Sequence, residues 1–137
     1  MRKAFLAILL ALFWTFPARA QSDADRAAIR SVIERQVEAF RRHDGPAAFA
    51  FASDGIKAMF GTPERFMEMV REGYGAIYAP RRLAFGDARA EAERVLQIVE
   101  FDGLDGSAIA ALYEMERQAD GSFKIAGVYL LGRRPGV

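Results

Sequence analysis

The stretch AIAALYEMERQADGSFKIAGVYLL, residues 108–131, decides the fold. Two runs rich in branched and aromatic residues, Ala108 to Arg117 and Phe123 to Leu131, flank an Asp120-Gly121 turn signal, the pattern of an antiparallel hairpin. Its register follows from which faces come out chemically consistent. A two-residue turn at Asp120-Gly121 pairs Met115 with Ala126 and Glu116 with Ile125, which mixes charged and apolar groups on one face. A three-residue loop, Ala119-Asp120-Gly121, with Gly121 in the left-handed bulge position, shifts the pairing by one and sets Glu116 opposite Lys124. One face then carries Ile109, Ala111, Tyr113 and Met115 beside Phe123, Ile125, Gly127, Tyr129 and Leu131. A one-residue slip would scatter that surface to both sides, so the second register is expected.

Upstream, Arg82 to Ala88 and Val95 to Phe101 read as two further strands, joined to each other by a polar loop over Ala88 to Glu93. The run Asp102-Gly103-Leu104-Asp105-Gly106 is the next turn. Before the strands the periodicity is helical. From Asp23 to Arg42, Ile29, Val32, Ile33, Gln36, Val37 and Phe40 recur at three- and four-residue steps. Asp23 or Asp25 can cap that helix, and Asp44-Gly45-Pro46 stops it. A short alanine-rich helix is expected from Pro46 to Ala52 and a single turn near Ile56 to Gly61. A third helix starts at the Thr62 cap and Pro63 and ends at Gly73. Three helices followed by a four-stranded antiparallel sheet with one apolar face predict an α+β fold, the helices on that face of a curved sheet and a cone-shaped cavity between the two.

The N-terminus has a different character. Arg2 and Lys3 precede a 13-residue uncharged apolar run, Ala4 to Phe16, then Pro17 and Ala18-Arg19-Ala20. This is the layout of a secretory signal peptide. The run falls short of the roughly 20 residues that span a bilayer. Cleavage after Ala20 leaves 117 of the 137 residues, 21–137, as one domain without a membrane anchor, in the periplasm or secreted. Three basic residues leave with the segment, so the formal charge of +1 becomes −2. A slightly acidic domain without a basic stripe has no electrostatic footprint for nucleic acid. There is no cysteine, which excludes disulfides and a thioether-linked lipid, and there is no asparagine to glycosylate. The tail from Arg133 to Val137 is expected to be disordered.

The segments Phe49-Ala50-Phe51-Ala52-Ser53, Met59-Phe60-Gly61-Thr62-Pro63, Gly73-Tyr74, Tyr78-Ala79-Pro80-Arg81 and Leu112 to Ser122 resemble a family of small exported bacterial proteins known as a domain of unknown function, number 4864. The resemblance extends over nearly all of residues 21–137. The closing hairpin, with Phe123-Lys124-Ile125, is also similar to the terminal hairpin of the nuclear-transport-factor-2-like, SnoaL-like superfamily. That superfamily implies the cone-shaped α+β fold, and it includes isomerases, dehydratases and non-catalytic binding domains. Neither resemblance assigns a functional residue, and a fold alone does not choose among functions.

Candidate chemistry is sparse. With one histidine, His43, and no cysteine, a transition-metal site is not expected. Asp102 to Gly106 lacks the ligand series of a calcium loop. Gly73-Tyr74-Gly75 lacks the third glycine and the preceding strand of a dinucleotide loop, so no cofactor is expected. His43 ends the first helix, where a cationic ring suits the helix dipole, although its intrinsic pKa also suits acid–base work. A triad of Ser53, His43 and Asp54 has no nucleophile elbow around the serine. The candidate ligand-binding residues are Tyr74, Tyr78, Tyr113, Met115 and Tyr129, on the expectation that they line the cavity, with buried tyrosine hydroxyls needing partners.

Three functions are consistent with these residues. The first is a non-catalytic domain that binds a small apolar ligand or a protein partner. The second is a cofactor-free acid–base isomerase or dehydratase using a cavity tyrosine with His43, Asp54 or Glu114. The third is a homodimer formed through an outer sheet face carrying Ala110, Leu112, Val128 and Leu130. Expressed with its own N-terminus in a Gram-negative bacterium, the chain should be recovered from the periplasm starting at Gln21. Intact mass of the purified protein checks this, and recovery with residues 1–20 retained contradicts it.

Overall fold

In the computed structural model, residues 22–133 are described, and helices again precede strands. The helices are α1 (Asp23–Arg41), α2 (Gly45–Ala50), α3 (Asp54–Phe60), α4 (Pro63–Gly73) and α5 (Gly75–Tyr78). The strands β1 (Pro80–Glu91), β2 (Arg94–Gly103), β3 (Ala108–Arg117) and β4 (Phe123–Arg133) form one antiparallel sheet in the order β1-β2-β3-β4. The expected signal segment lies outside the described residues, as does the tail beyond Arg133, which itself ends β4.

Each of the first four helices begins at a side-chain cap. Ser22, not Asp23 or Asp25, caps α1, its Oγ accepting from the Asp25 amide at 3.1 Å. The two aspartates occupy the first turn, where their charge complements the dipole. Asp44 caps α2, Ser53 caps α3, and Thr62 caps α4 ahead of Pro63. Because Ser53 supplies a cap, the single turn expected near Ile56 extends to a seven-residue helix. The α5 turn was not expected. It has no side-chain cap, and only Ile77 in it is fully buried.

The sheet buries Val95, Val99 and Phe101 of β2, Ala111, Tyr113 and Met115 of β3, and Phe123 and Ile125 of β4. Against this face lies the α1 stripe of Ile29, Ile33, Val37 and Phe40, each 0–1% exposed. Phe66 of α4 joins the two layers to the outer helices, its ring 6.1 Å from Phe40, 5.4 Å from Phe49 and 5.8 Å from Phe60. The polar loop expected over Ala88 to Glu93 is largely strand. Glu91 pairs with Arg94, so only Ala92 and Glu93 turn the chain. Pairing with the neighbouring strand overrides the local polarity of that segment. Gln97, buried on the inner face, holds the β1 bulge beside it, its Nε2 donating to Gly86 O at 3.0 Å and Ile98 O at 2.8 Å.

The last hairpin follows the expected register at its turn and departs from it beyond. Gly121 takes a left-handed φ of 86°, and Asp120 Oδ1 accepts from the Ser122 amide at 2.9 Å and hydroxyl at 2.6 Å. Those hydrogen bonds hold the Asp120 carboxyl below its usual pKa. Glu116 faces Lys124 and Met115 faces Ile125. Then Glu114 pairs with Gly127, leaving Ala126 as an extra residue, and the alternation inverts. Val128 now pairs with Tyr113 on the inner face and Tyr129 with Leu112 on the outer. A second irregularity, at Leu131, precedes the Ala110–Gly132 pair. Thus Gly127 and Tyr129 leave the apolar inner face, while Val128 and Leu130 leave the outer face on which a homodimer was expected to form. A residue with a Cβ is strained at the Gly121 φ. Gly121→Ala should therefore lower stability by about 1 kcal/mol, measured by urea denaturation against the parent chain.

Candidate functional site

The edge of β4 pairs with backbone from the helical layer at its start. Between α2 and α3 the chain runs beside Ile125, whose amide donates to Phe51 O at 2.9 Å and whose carbonyl accepts from the Ser53 amide at 2.9 Å. Beyond Ile125, α3 and α4 diverge from the strand. A cavity of about 290 Å³ opens there, between Phe60 of α3, Met69 and Val70 of α4, and the Ala126–Val128 segment of β4. The bulge at Ala126 is what turns the Val128 side chain inward toward it. Among the described residues, no Asp, Glu, His, Lys or Arg lines this space.

Three lining side chains carry polar atoms. Gln36, on the buried face of α1 and 3% exposed, donates from Nε2 to Ala48 O at 3.1 Å. Tyr74, following α4, donates from its hydroxyl to Val128 O at 3.2 Å and so ties the helical layer to β4. Tyr129 lies at the rim, and its hydroxyl donates to Glu114 Oε2 on the outer face at 3.2 Å. The Glu114 carboxylate raises the Tyr129 pKa by its charge and by that hydrogen bond. Gly127 admits this arrangement, since a Cβ there would lie 3.0 Å from the Tyr129 hydroxyl and 3.1 Å from Glu114 Oε2.

The family described as "Domain of unknown function (DUF4864)" matches residues 22–136 of this sequence. The chain belongs to this family. No curated protein matches it. Among solved structures it is similar to the crystal structure of an NTF2-like protein of unknown function from Burkholderia pseudomallei, with 15% identity and a TM-score of 0.37 over 70% of this chain and 85% of that one. So distant a likeness adds nothing to the site.

The five residues expected at a ligand site of this DUF4864 domain are not gathered in one place. Tyr74 lines the cavity, and Tyr129 reaches its rim from the outer face. Tyr78 instead shares a 2.8 Å hydrogen bond with His43 Nδ1 and stacks its ring 5.9 Å from Phe40. Tyr113 and Met115 are fully buried in the sheet–α1 interface and do not line the cavity. The residues missed from sequence are Gln36, Phe60, Met69, Val70 and Val128. Of these, Gln36 gave a signal, as a polar residue within the apolar stripe of α1.

His43 takes a left-handed φ of 55° just past α1, where its amide donates to Phe40 O and the Asp44 amide to Ala39 O. That is a Schellman closure with histidine in the position glycine usually takes, and Tyr78 holds the ring there. Asp54 is exposed in the first turn of α3. Glu114 points to the outer face and is ion-paired with Arg94. None of the three lines the cavity, so the acid–base expectation has no proton-transfer partner beside Tyr74. Among the described residues there is no cluster of three or more potential metal ligands and no helix long and apolar enough to cross a membrane.

Tyr113 carries a different consequence. Its hydroxyl is buried without a hydrogen-bond partner among the described residues, and burial raises its pKa well above the usual value. An unsatisfied buried hydroxyl destabilises the fold by about 1–3 kcal/mol. Tyr113→Phe should be neutral or raise stability by about 1 kcal/mol, read from thermal or urea unfolding at pH 7. Because the folded-state pKa is raised, the neutral phenol's contribution is fully present below about pH 10 and is lost as pH rises beyond it. The phenylalanine variant should therefore lose less stability than the parent between about pH 10 and 11.

Proposed function

We propose that this chain is exported and binds a small apolar molecule, without chemistry, in the cavity between α3, α4 and β4. One observation carries the reading: among the described residues the lining is apolar and aromatic, without a charged side chain, and three polar side chains interrupt it. Ligand pockets have this composition, and about 290 Å³ lies just below their usual range of about 300–1,000 Å³. A single ring with a short alkyl branch, or a medium-length chain, fits that space. Phe60 and Phe66, in edge contact at 5.8 Å, offer ring surface, and Met69 offers a side chain that adapts to shape. Export supports the same reading, since a domain outside the cytoplasm works without a supply of nucleotide cofactors.

A second reading, self-association through the outer sheet face, is favoured by Leu96, Ile98 and Leu112, which line a shallow outer depression with Tyr129 of β4 as a neighbour. Light scattering at high concentration separates a dimer from a monomer.

Native mass spectrometry of the mature chain purified from the periplasm tests the ligand reading. A bound neutral mass is expected, and it should be lost in Met69→Trp, whose indole fills the cavity. Polypeptide without any added mass, or an added mass that survives in the filled variant, overturns it.

A further inference from the structure

We infer that the cavity selects an apolar ligand bearing one neutral hydrogen-bond donor, a phenol or an alcohol, whose hydroxyl seats on Gln36 Oε1. The inference rests on the ligand-binding reading above and narrows it to a chemical class.

The side-chain amide of Gln36 can be placed in one orientation only. Ala48 O is an acceptor, already bonded by the Phe51 amide at 3.3 Å, so the group that meets it must be the Gln36 nitrogen. That leaves Oε1 without a hydrogen bond among the described residues, on a residue 97% buried that lines the cavity. The other two polar side chains of the lining are committed in the same sense. Tyr74 donates its proton to Val128 O and Tyr129 donates its proton to Glu114 Oε2, so both retain only acceptor capacity. The side chains around the ligand space therefore ask for a donor.

This polarity discriminates among ligands of equal shape. A hydroxyl satisfies Oε1. A methyl in the same place leaves a buried carbonyl unpaired, and a ketone or carboxylate sets oxygen against oxygen. With no Lys, Arg or His in the lining among the described residues, an anion has no counter-charge, and with no carboxylate there an ammonium has none either. A neutral donor on an apolar body is what remains. The arrangement is the reverse of an isomerase site, which would present donors to a ligand carbonyl.

Calorimetric titration of the mature chain with three matched probes tests the inference: 4-ethylphenol, 4-ethyltoluene and 4-ethylacetophenone. The phenol should bind about tenfold tighter than the toluene, the effect of one satisfied against one unsatisfied buried acceptor. The ketone should bind no better than the toluene. In Gln36→Met the phenol preference should fall to near unity while the toluene affinity is retained. Equal binding of phenol and toluene by the parent chain, tighter binding of the ketone, or a preference that survives in Gln36→Met overturns the donor assignment and leaves the binding reading standing. No binding of any probe overturns both. The comparison among probes on the parent chain stands even where the variant fails to fold.

Discussion

The structure depends on covering one apolar sheet face with one helix. Ile29, Ile33, Val37 and Phe40 of α1 meet Val99, Phe101, Ala111, Tyr113 and Met115, and all of these are at most 1% exposed. With no disulfide to support the fold, burial of this apolar area is its main driving force. One helix about 10–12 Å wide cannot cover four strands. The shorter helices α2, α3 and α4 therefore close the side toward β4, pulled inward by the Phe66 ring and its three aromatic neighbours. They close it incompletely, and the remaining gap is the cavity.

Two local features shape that gap. The backbone bridge from Phe51 and Ser53 to Ile125 fixes how closely the α2–α3 joint approaches the edge of β4. The extra residue at Ala126 then inverts the strand, so Val128 rather than Tyr129 faces the helices. Without the bulge the Tyr129 ring would occupy the space that Val128 leaves open, and its hydroxyl would need a partner inside. With it, the ring lies over Gly127 on the outer face and bonds Glu114. The volume of the site traces to that one insertion.

The parts that could be read from sequence are those with a strong local cause. The α1 stripe, the Thr62-Pro63 start, the Gly121 turn and the Glu116–Lys124 pairing all follow from periodicity or from a residue's own backbone preference. The site could not be read the same way. The extra residue of the β4 bulge is Ala126, not a glycine, so alternation carried forward from the turn assigns Gly127 to Leu130 to the wrong face. Tyr78 and His43 are 35 residues apart, and no local pattern announces the hydrogen bond between them. Gln36 is the exception, a polar residue in an apolar stripe, visible from the sequence but readable as a site only once Ala48 is seen to take its nitrogen.

A crystal structure of residues 21–137 under xenon pressure tests the account most directly, because xenon enters dry apolar cavities without needing a polar partner. The account predicts xenon density among Phe60, Met69 and Val128, with Val128 turned inward and Tyr129 outward. A xenon-free interior with Tyr129 filling that space, and no bulge at Ala126, would contradict it.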